Sequence, residues 1–147
     1  EASEGKLADI TLEPTDHLKP FNIDTRPYPG FSTDLQAQFA AIMTQAEGES
    51  RIFETLYEGR LGYVNEFRRM GANARIVNNH VAVIRGARTL RGRRIETLDI
   101  RAGATMLIAA LTARGESVIE HVELMERGYE HLVERLRAIG AEIVRID

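Results

Sequence analysis

The sequence predicts an α/β protein (α+β in some schemes), a sheet with helices packed on it, and three observations carry that prediction. First, the chain repeats itself. Asp34-Leu35-Gln36-Ala37 opens a helical stretch that reaches Gly48-Glu49-Ser50 and a strand ending at Phe53-Glu54. Asp99-Ile100-Arg101-Ala102 opens another, which reaches Gly115-Glu116-Ser117 and a strand ending at Ile119-Glu120. The second copy follows 65 residues on at the aspartates, 67 at the glycines and at Arg60 and Arg127, and 69 at Gly71 and Gly140. A slowly drifting offset with shared punctuation marks duplicated supersecondary units. Second, stretches of helical spacing alternate with short strand-like runs, each copy reading helix, strand, helix, strand. Third, 147 residues with 44 % hydrophobic and 28 % charged side chains make about one ordinary globular domain.

Residues 1–30 read as a connector with the first strands. Residues 7–12 alternate like one strand and residues 21–23 like a second, and all four prolines (Pro14, Pro20, Pro27, Pro29) fall in this stretch. Residues 31–97 form the first repeat unit and residues 98–147 the second, both within one domain. After a turn at Pro29-Gly30, Thr33-x-x-Gln36 reads as a capping box, in which hydroxyl and amide cover free backbone N–H groups. Leu35, Phe39, Ile42, Met43 and Ala46 recur at helical spacing and predict the buried stripe, with Gly48 as the stop. Residues 50–56 are strand-like and residues 57–62 a loop. Val64, Phe67 and Met70 line a short helix that Gly71 ends. Residues 74–77 and 81–84 alternate like two strands joined at Asn78-Asn79, and a further strand falls around residues 93–97. The helix over residues 101–113 is apolar on nearly every side, which predicts cover all round. Residues 118–122 predict a strand, and Leu132, Val133, Leu136 and Ile139 an amphipathic helix ended by Gly140. Residues 141–146 predict a closing strand.

Composition narrows the chemistry. A net charge of −3 gives no general affinity for nucleic acid or anionic membrane. With no cysteine, disulfides and thiolate chemistry within this stretch are excluded, which fits a reducing cytoplasm. No apolar run reaches the roughly 18 residues of a membrane span, and no signal peptide is visible. The polar start at Glu1, without methionine, reads as a piece of something longer. His17, His80, His121 and His131 lack metal-ligand spacing, and neither a Walker pattern nor a dinucleotide fingerprint occurs. Arg85, Arg88, Arg91, Arg93 and Arg94 read as a solvated hairpin, since no aromatics interleave with them as in a nucleic-acid patch.

The residues left are charges at element ends. Asp34, at a helix start, either complements the helix dipole or serves as a general base; Asp99 faces the same choice, with the N-cap role favoured by the buried helix that follows. Arg60 and Arg127 occupy equivalent loops, each beside a glycine, and are either solvated or part of a cationic site. Arg101 at a helix N-terminus is electrostatically wrong for the helix and needs an anion nearby, either Asp99 or a ligand carboxylate or phosphate.

Thr33-Asp34-Leu35-Gln36-Ala37-Gln38-Phe39, Glu58-x-Arg60, Arg69-Met70-Gly71-Ala72, Asp99-Ile100-Arg101-Ala102-Gly103-Ala104 and Arg127-Gly128-Tyr129-Glu130 occur in that order. Together they resemble the C-terminal part of the enolpyruvyl (carboxyvinyl) transferase family, in its UDP-N-acetylglucosamine-using branch, from about residue 31 onward. The resemblance implies an inside-out α/β barrel, of which this chain supplies about two of the three βαβαββ units of one domain in a two-domain enzyme. It implies transfer of the enolpyruvyl group of phosphoenolpyruvate to the 3′-hydroxyl of UDP-N-acetylglucosamine, the first step of cytoplasmic peptidoglycan precursor synthesis, with no metal or organic cofactor. Asp34 matches the carboxylate that takes the hydroxyl proton. Arg101 and Arg127 match arginines that hold phosphoenolpyruvate, and Arg60 matches another arginine near the cleft. Leu56 matches a position beside the nucleotide-sugar, and Asp99 an aspartate that orders the Arg101 loop. The sequence departs from the family pattern at Ser32, Tyr63, Asn65 and Glu126, and the cysteine that serves as general acid lies outside it. The partners implied are the two substrates and the missing N-terminal part, with self-association through exposed apolar surface and no nucleic acid or membrane. The chain alone is expected to be inactive. A 3-phosphoshikimate-using sister enzyme and a non-catalytic binding module derived from the family are the alternatives.

Overall fold

The computed structural model describes residue 11 and residues 13–97 and 99–146. The strand expected over residues 7–12 lies outside these except for Thr11. The connector does enter a sheet: β1 (Asn22–Asp24) pairs in parallel with β2 (Gly48–Phe53), with Ile23 opposite Ile52. β3 (Asn73–Asn78) and β4 (Val81–Gly86) form a hairpin, and β4 lies antiparallel to β2, giving the order β1-β2-β4-β3. The hairpin turn is Asn79-His80, one residue later than expected, because Asn78 still pairs with Val81. β5 (Arg94–Glu96) and β6 (Val118–Glu120) form a separate parallel pair. Among the described residues the predicted single sheet is therefore two.

α1 (Thr33–Met43) and α2 (Tyr63–Arg69) lie on the first sheet, and α3 (Ile100–Thr112) packs on both of them. Val64, Phe67 and Met70 face the core as their spacing predicts. Ile23, Ile52 and Ile84 meet them from the strands, with Leu90, Ile95 and Met106 completing the cluster. Of the stripe expected to be buried on α1 and just after it, Met43 and Ala46 are buried, but the rest of the inward face differs. Gln36, Ala37, Ala40, Ala41 and Met43 are buried, whereas Leu35, Phe39 and Ile42 are 36–50 % exposed. Small side chains let α3 pack closely against α1, and ridge-into-groove packing tolerates that approach only where side chains are short. The helix ends at Thr44, whose hydroxyl donates to the Ala41 carbonyl; Gly48 already belongs to β2.

Gly86 explains why β4 ends where it does. A Cβ there would lie 2.1 Å from the Ala46 carbonyl oxygen and 2.8 Å from those of Met43 and Thr44. All three are backbone atoms at the end of α1 and cannot swing aside. Gly86→Ala is expected to destabilise the fold by about 2–3 kcal/mol, typical of overpacking against rigid atoms, read as a lower urea midpoint.

The second unit is built more loosely. α3 is not covered all round: Gly103, Ala104, Thr105, Met106, Leu107 and Ala109 are buried, but Leu111 is 43 % exposed. α4 (Glu123–Glu126) and α5 (Leu132–Ala138) follow, and α5 buries none of its residues. Residues 141–146 form no strand, and Val144 and Ile146 are exposed. A strand needs a ladder partner, and no described residue offers one to this segment.

Helix caps correct the repeat. α1 is capped by Ser32, whose hydroxyl accepts from the Asp34 N–H, and α3 by Asp99, whose carboxylate accepts from the N–H groups of Arg101 and Ala102. Ser32 and Asp99 are 67 residues apart, as are Gly48 and Gly115, and Arg60 and Arg127. The two copies thus run at a constant 67 from cap to arginine, and the structural equivalent of Asp34 is Arg101, not Asp99. The expected capping box is absent because Thr33 and Gln36 are both turned to other partners.

Candidate active site

α1 and α3 begin at the same edge, and their first turns carry the charges. Asp34, at the second position of α1, is largely exposed and points one carboxylate oxygen at two arginines. Arg101 Nη1 donates to Asp34 Oδ1 at 3.0 Å and Arg60 Nη1 at 3.3 Å. Asp99 caps α3 with Oδ1 2.8 Å from the Arg101 N–H and lies 3.8 Å from Arg101 Nε. The anion that Arg101 requires is therefore supplied twice, by its cap and by its counterpart in the other copy.

Arg60 reaches this edge from the turn before α2. Its guanidinium lies 3.9 Å from the centre of the Tyr57 ring, a cation–π contact. Arg60 Nη1 also donates to the Thr33 hydroxyl at 2.9 Å. Leu56, in the same loop, is 37 % exposed, although its backbone N–H turns inward to Glu54. Arg127 forms the C-terminal cap of α4 and is exposed, with no ion pair among the described residues. Its neighbour Gly128 packs against Ile100 at the start of α3, which holds Arg127 near the Arg101 turn without joining it to Asp34. Asp34, Arg60 and Arg101 are thus joined through one carboxylate, whereas no hydrogen bond or ion pair among the described residues joins Arg127 to them.

Glu54 was not singled out by the sequence, although it lies directly under this cluster. It follows β2, and its carboxylate is fully buried. Oε1 accepts from the Thr25 hydroxyl at 2.9 Å and from the backbone N–H groups of Leu56 and Tyr57 at 2.9 and 3.2 Å; Oε2 accepts from the Thr33 hydroxyl at 2.6 Å. Burial by itself would raise the Glu54 pKa, but these hydrogen bonds together outweigh it and hold the carboxyl below its ordinary value of 4.5. Burial, reinforced by the Glu54 charge, pushes the Tyr63 phenol well above its usual range, so it stays protonated and donates to Gln36 Oε1 at 2.6 Å. A signal for Glu54 existed: Ser50, Ile52 and Glu54 are all buried and alternate with exposed neighbours, so the acid occupies an inward strand position.

A lowered carboxyl pKa makes stability depend on acid. Glu54 stabilises the folded state fully above pH 4.5 and loses that contribution as pH falls through its lower folded value. Urea midpoints should therefore drop more steeply below pH 4.5 in the wild type than in Glu54→Gln; parallel acid limbs would contradict this.

The remaining cationic residues lie elsewhere. Arg85 is on β4 and pairs with Glu49, while Arg88, Arg91 and Arg93 line a cavity of about 740 Å³ with Arg69, at the ends of α1 and α2 opposite Asp34. The expected arginine hairpin is thus a link between β4 and β5. Among the described residues no helix is long and apolar enough to cross a membrane, and no group of three His, Cys, Asp or Glu could hold a metal ion.

Comparison with known proteins fits this geometry. Residues 1–136 match the family described as EPSP synthase (3-phosphoshikimate 1-carboxyvinyltransferase). The chain is 45 % identical over 130 residues to a UDP-N-acetylglucosamine 1-carboxyvinyltransferase of Acidobacterium capsulatum, covering 88 % of this chain and 30 % of that protein. It is 46 % identical over 144 residues to one of Koribacter versatilis, covering 98 % of this chain and 33 % of that protein. The chain therefore spans about a third of the length of these relatives. In three dimensions it is similar to the enolpyruvyl transferase NikO from Streptomyces tendae, with a TM-score of 0.78 and 28 % identity over 88 % of this chain and 30 % of that one. With the match running through residue 136 of 147, the chain belongs to the EPSP synthase (3-phosphoshikimate 1-carboxyvinyltransferase) family.

Proposed function

We propose that the protein containing this chain transfers the enolpyruvyl group of phosphoenolpyruvate to the 3′-hydroxyl of UDP-N-acetylglucosamine and releases phosphate. The observation that carries this reading is the shared carboxylate: one oxygen of Asp34 is held by Arg60 and Arg101 at an open edge. A weakly acidic hydroxyl needs a carboxylate within reach, and a trianionic co-substrate needs fixed cations. Asp34 takes the hydroxyl proton as the sugar oxygen bonds to the central carbon of phosphoenolpyruvate, whose C=C π pair takes up a proton at the methylene carbon from the general acid outside this chain. Loss of a proton from that methyl carbon then re-forms the C=C bond as the bond from the central carbon to the phosphate oxygen breaks, and phosphate leaves. Arg101 and Arg127 hold phosphoenolpyruvate, Arg60 orients Asp34, the backbone at Leu56 borders the nucleotide-sugar, and Asp99 orders the first turn of α3. The names of the 45–46 % identical relatives favour the UDP-sugar over 3-phosphoshikimate as acceptor.

On this reading the protein acts at the first step of peptidoglycan precursor synthesis, in the cytoplasm. Leu35 and Ile42 of α1 and Leu111 of α3 are exposed apolar side chains that the rest of the protein can cover. The full-length protein should release phosphate from phosphoenolpyruvate with UDP-N-acetylglucosamine and not with shikimate 3-phosphate, and the 147-residue chain alone should release none. Turnover with shikimate 3-phosphate only would overturn the assignment of acceptor, and turnover by the chain alone would overturn the need for a second domain.

A further inference from the structure

We propose that Glu54 is a positioning residue: through the Thr33 hydroxyl it sets the Arg60 guanidinium, and through Arg60 the Asp34 carboxylate. The role rests on the reaction proposed above, but the geometry behind it is independent of that reaction. From Glu54 Oε2 the hydrogen bonds run to the Thr33 hydroxyl at 2.6 Å, on to Arg60 Nη1 at 2.9 Å, and from the same nitrogen to Asp34 Oδ1 at 3.3 Å.

The direction of this relay is forced by the inventory of protons. A carboxylate only accepts and a guanidinium only donates, while a hydroxyl has a single proton and two lone pairs. The Thr33 proton must therefore point at Glu54, which leaves its lone pairs facing Arg60. Without an acceptor at Glu54 the hydroxyl is free to rotate, and Arg60 loses an oriented partner. A second arm reaches the same arginine. Glu54 Oε1 binds the backbone N–H groups of Leu56 and Tyr57, and the Tyr57 ring stacks 3.9 Å from the Arg60 guanidinium. Arg60 is thus held on two sides by groups that both hang from one carboxylate.

The duplication shows that a strand-end junction of this kind can close without a carboxylate. The residue equivalent to Glu54, 67 positions on, is His121, which is exposed. Thr25 and Thr97 occupy matching places: each donates its backbone N–H to the last residue of the neighbouring strand, Phe53 and Glu120. In the second copy the Thr97 hydroxyl then donates to the backbone carbonyls of Glu120 and His121 at 2.7 and 2.8 Å. The same strand-end junction is therefore closed once by a threonine hydroxyl on backbone carbonyls and once around a buried acid. The acid is present only in the copy that carries Asp34.

The test uses the full-length protein with Thr33→Val, which cuts the relay but leaves Glu54, Tyr57, Arg60 and Asp34 in place, and Thr33→Ser, which keeps the hydroxyl. With phosphoenolpyruvate and UDP-N-acetylglucosamine, Thr33→Val should lower kcat per folded molecule at least about tenfold, the order of loss that slight misplacement of a reacting group brings. KM for the UDP-sugar should move far less, and Thr33→Ser should recover most of the rate. A purely structural Glu54 would alter the folded fraction but not kcat per folded molecule, and unchanged kcat in Thr33→Val overturns the proposal. A second readout does not depend on turnover. With ¹⁵N-labelled arginine, the Arg60 side-chain N–H signal should be protected from exchange in the wild type and in Thr33→Ser, and unprotected in Thr33→Val. If the wild type shows no turnover but this pattern holds, the reaction assignment fails and the relay stands. Unchanged protection in Thr33→Val overturns the relay whatever the turnover.

Discussion

Asp34→Asn in the full-length protein is expected to lower kcat by about 10²–10⁴, the range that a positioned general base contributes, while leaving thermal stability nearly unchanged. The two halves of that expectation have separate causes. Asp34 is 67 % exposed at its side chain, so its ion pairs with Arg60 and Arg101 contribute little to folding, on the order of 0–1 kcal/mol for solvent-screened pairs. Its carboxylate is nonetheless the acceptor on which both arginines converge. Asparagine keeps the shape and one oxygen, so the arginines retain an acceptor and substrate binding is largely preserved. What disappears is the capacity to take a proton. Phosphate release at saturating substrates measures the first effect and a melting curve the second; wild-type kcat in Asp34→Asn would remove Asp34 from the chemistry.

Arg101→Ala should act on binding more than on turnover, raising KM for phosphoenolpyruvate by about 10–100-fold, the equivalent of one charge-assisted hydrogen bond of about 1.5–3 kcal/mol. The same change releases Asp34 from one of its two arginines and leaves Arg60 as the sole guanidinium on that oxygen. α3 itself should form as before, because Asp99 caps backbone N–H groups and not the Arg101 side chain. Arg101→Lys keeps the charge but not the planar fork and should recover only part of the affinity. Steady-state KM for each substrate checks this, and a rise confined to the UDP-sugar would reassign Arg101.

Much of this was legible in the sequence wherever one kind of residue repeats at one period. α2 is an example: Val64, Phe67 and Met70 announce the buried face and Gly71 the end, and the structure agrees. α1 was legible as a helix but not in its orientation. Apart from Met43, its buried face consists of alanines and Gln36, whose burial depends on a neighbour, the Tyr63 hydroxyl, that no local pattern reveals. The segment over residues 141–146 has strand-like alternation, but alternation describes a face and not a partner, and here no described strand pairs with it. The charged edge was found from motifs, whereas Glu54 was overlooked because a single acid at a strand end looks like any solvated terminus. Its meaning lies in Thr25, Thr33, Leu56 and Tyr57, which approach it from two stretches of chain.

The contact between Asp34 and Arg101 constrains the history of the repeat. These residues occupy the same position in the two copies, so a pair of identical copies would bring two carboxylates or two guanidiniums to within about 3 Å of each other. Like charges at that range resist simultaneous ionisation, and neither arrangement offers a base beside a cation. Duplication could therefore supply the frame but not this site. The copies must differ in charge at this position for an ionised carboxylate to be held there, so the asymmetry of the pair is a condition of any chemistry performed at this edge.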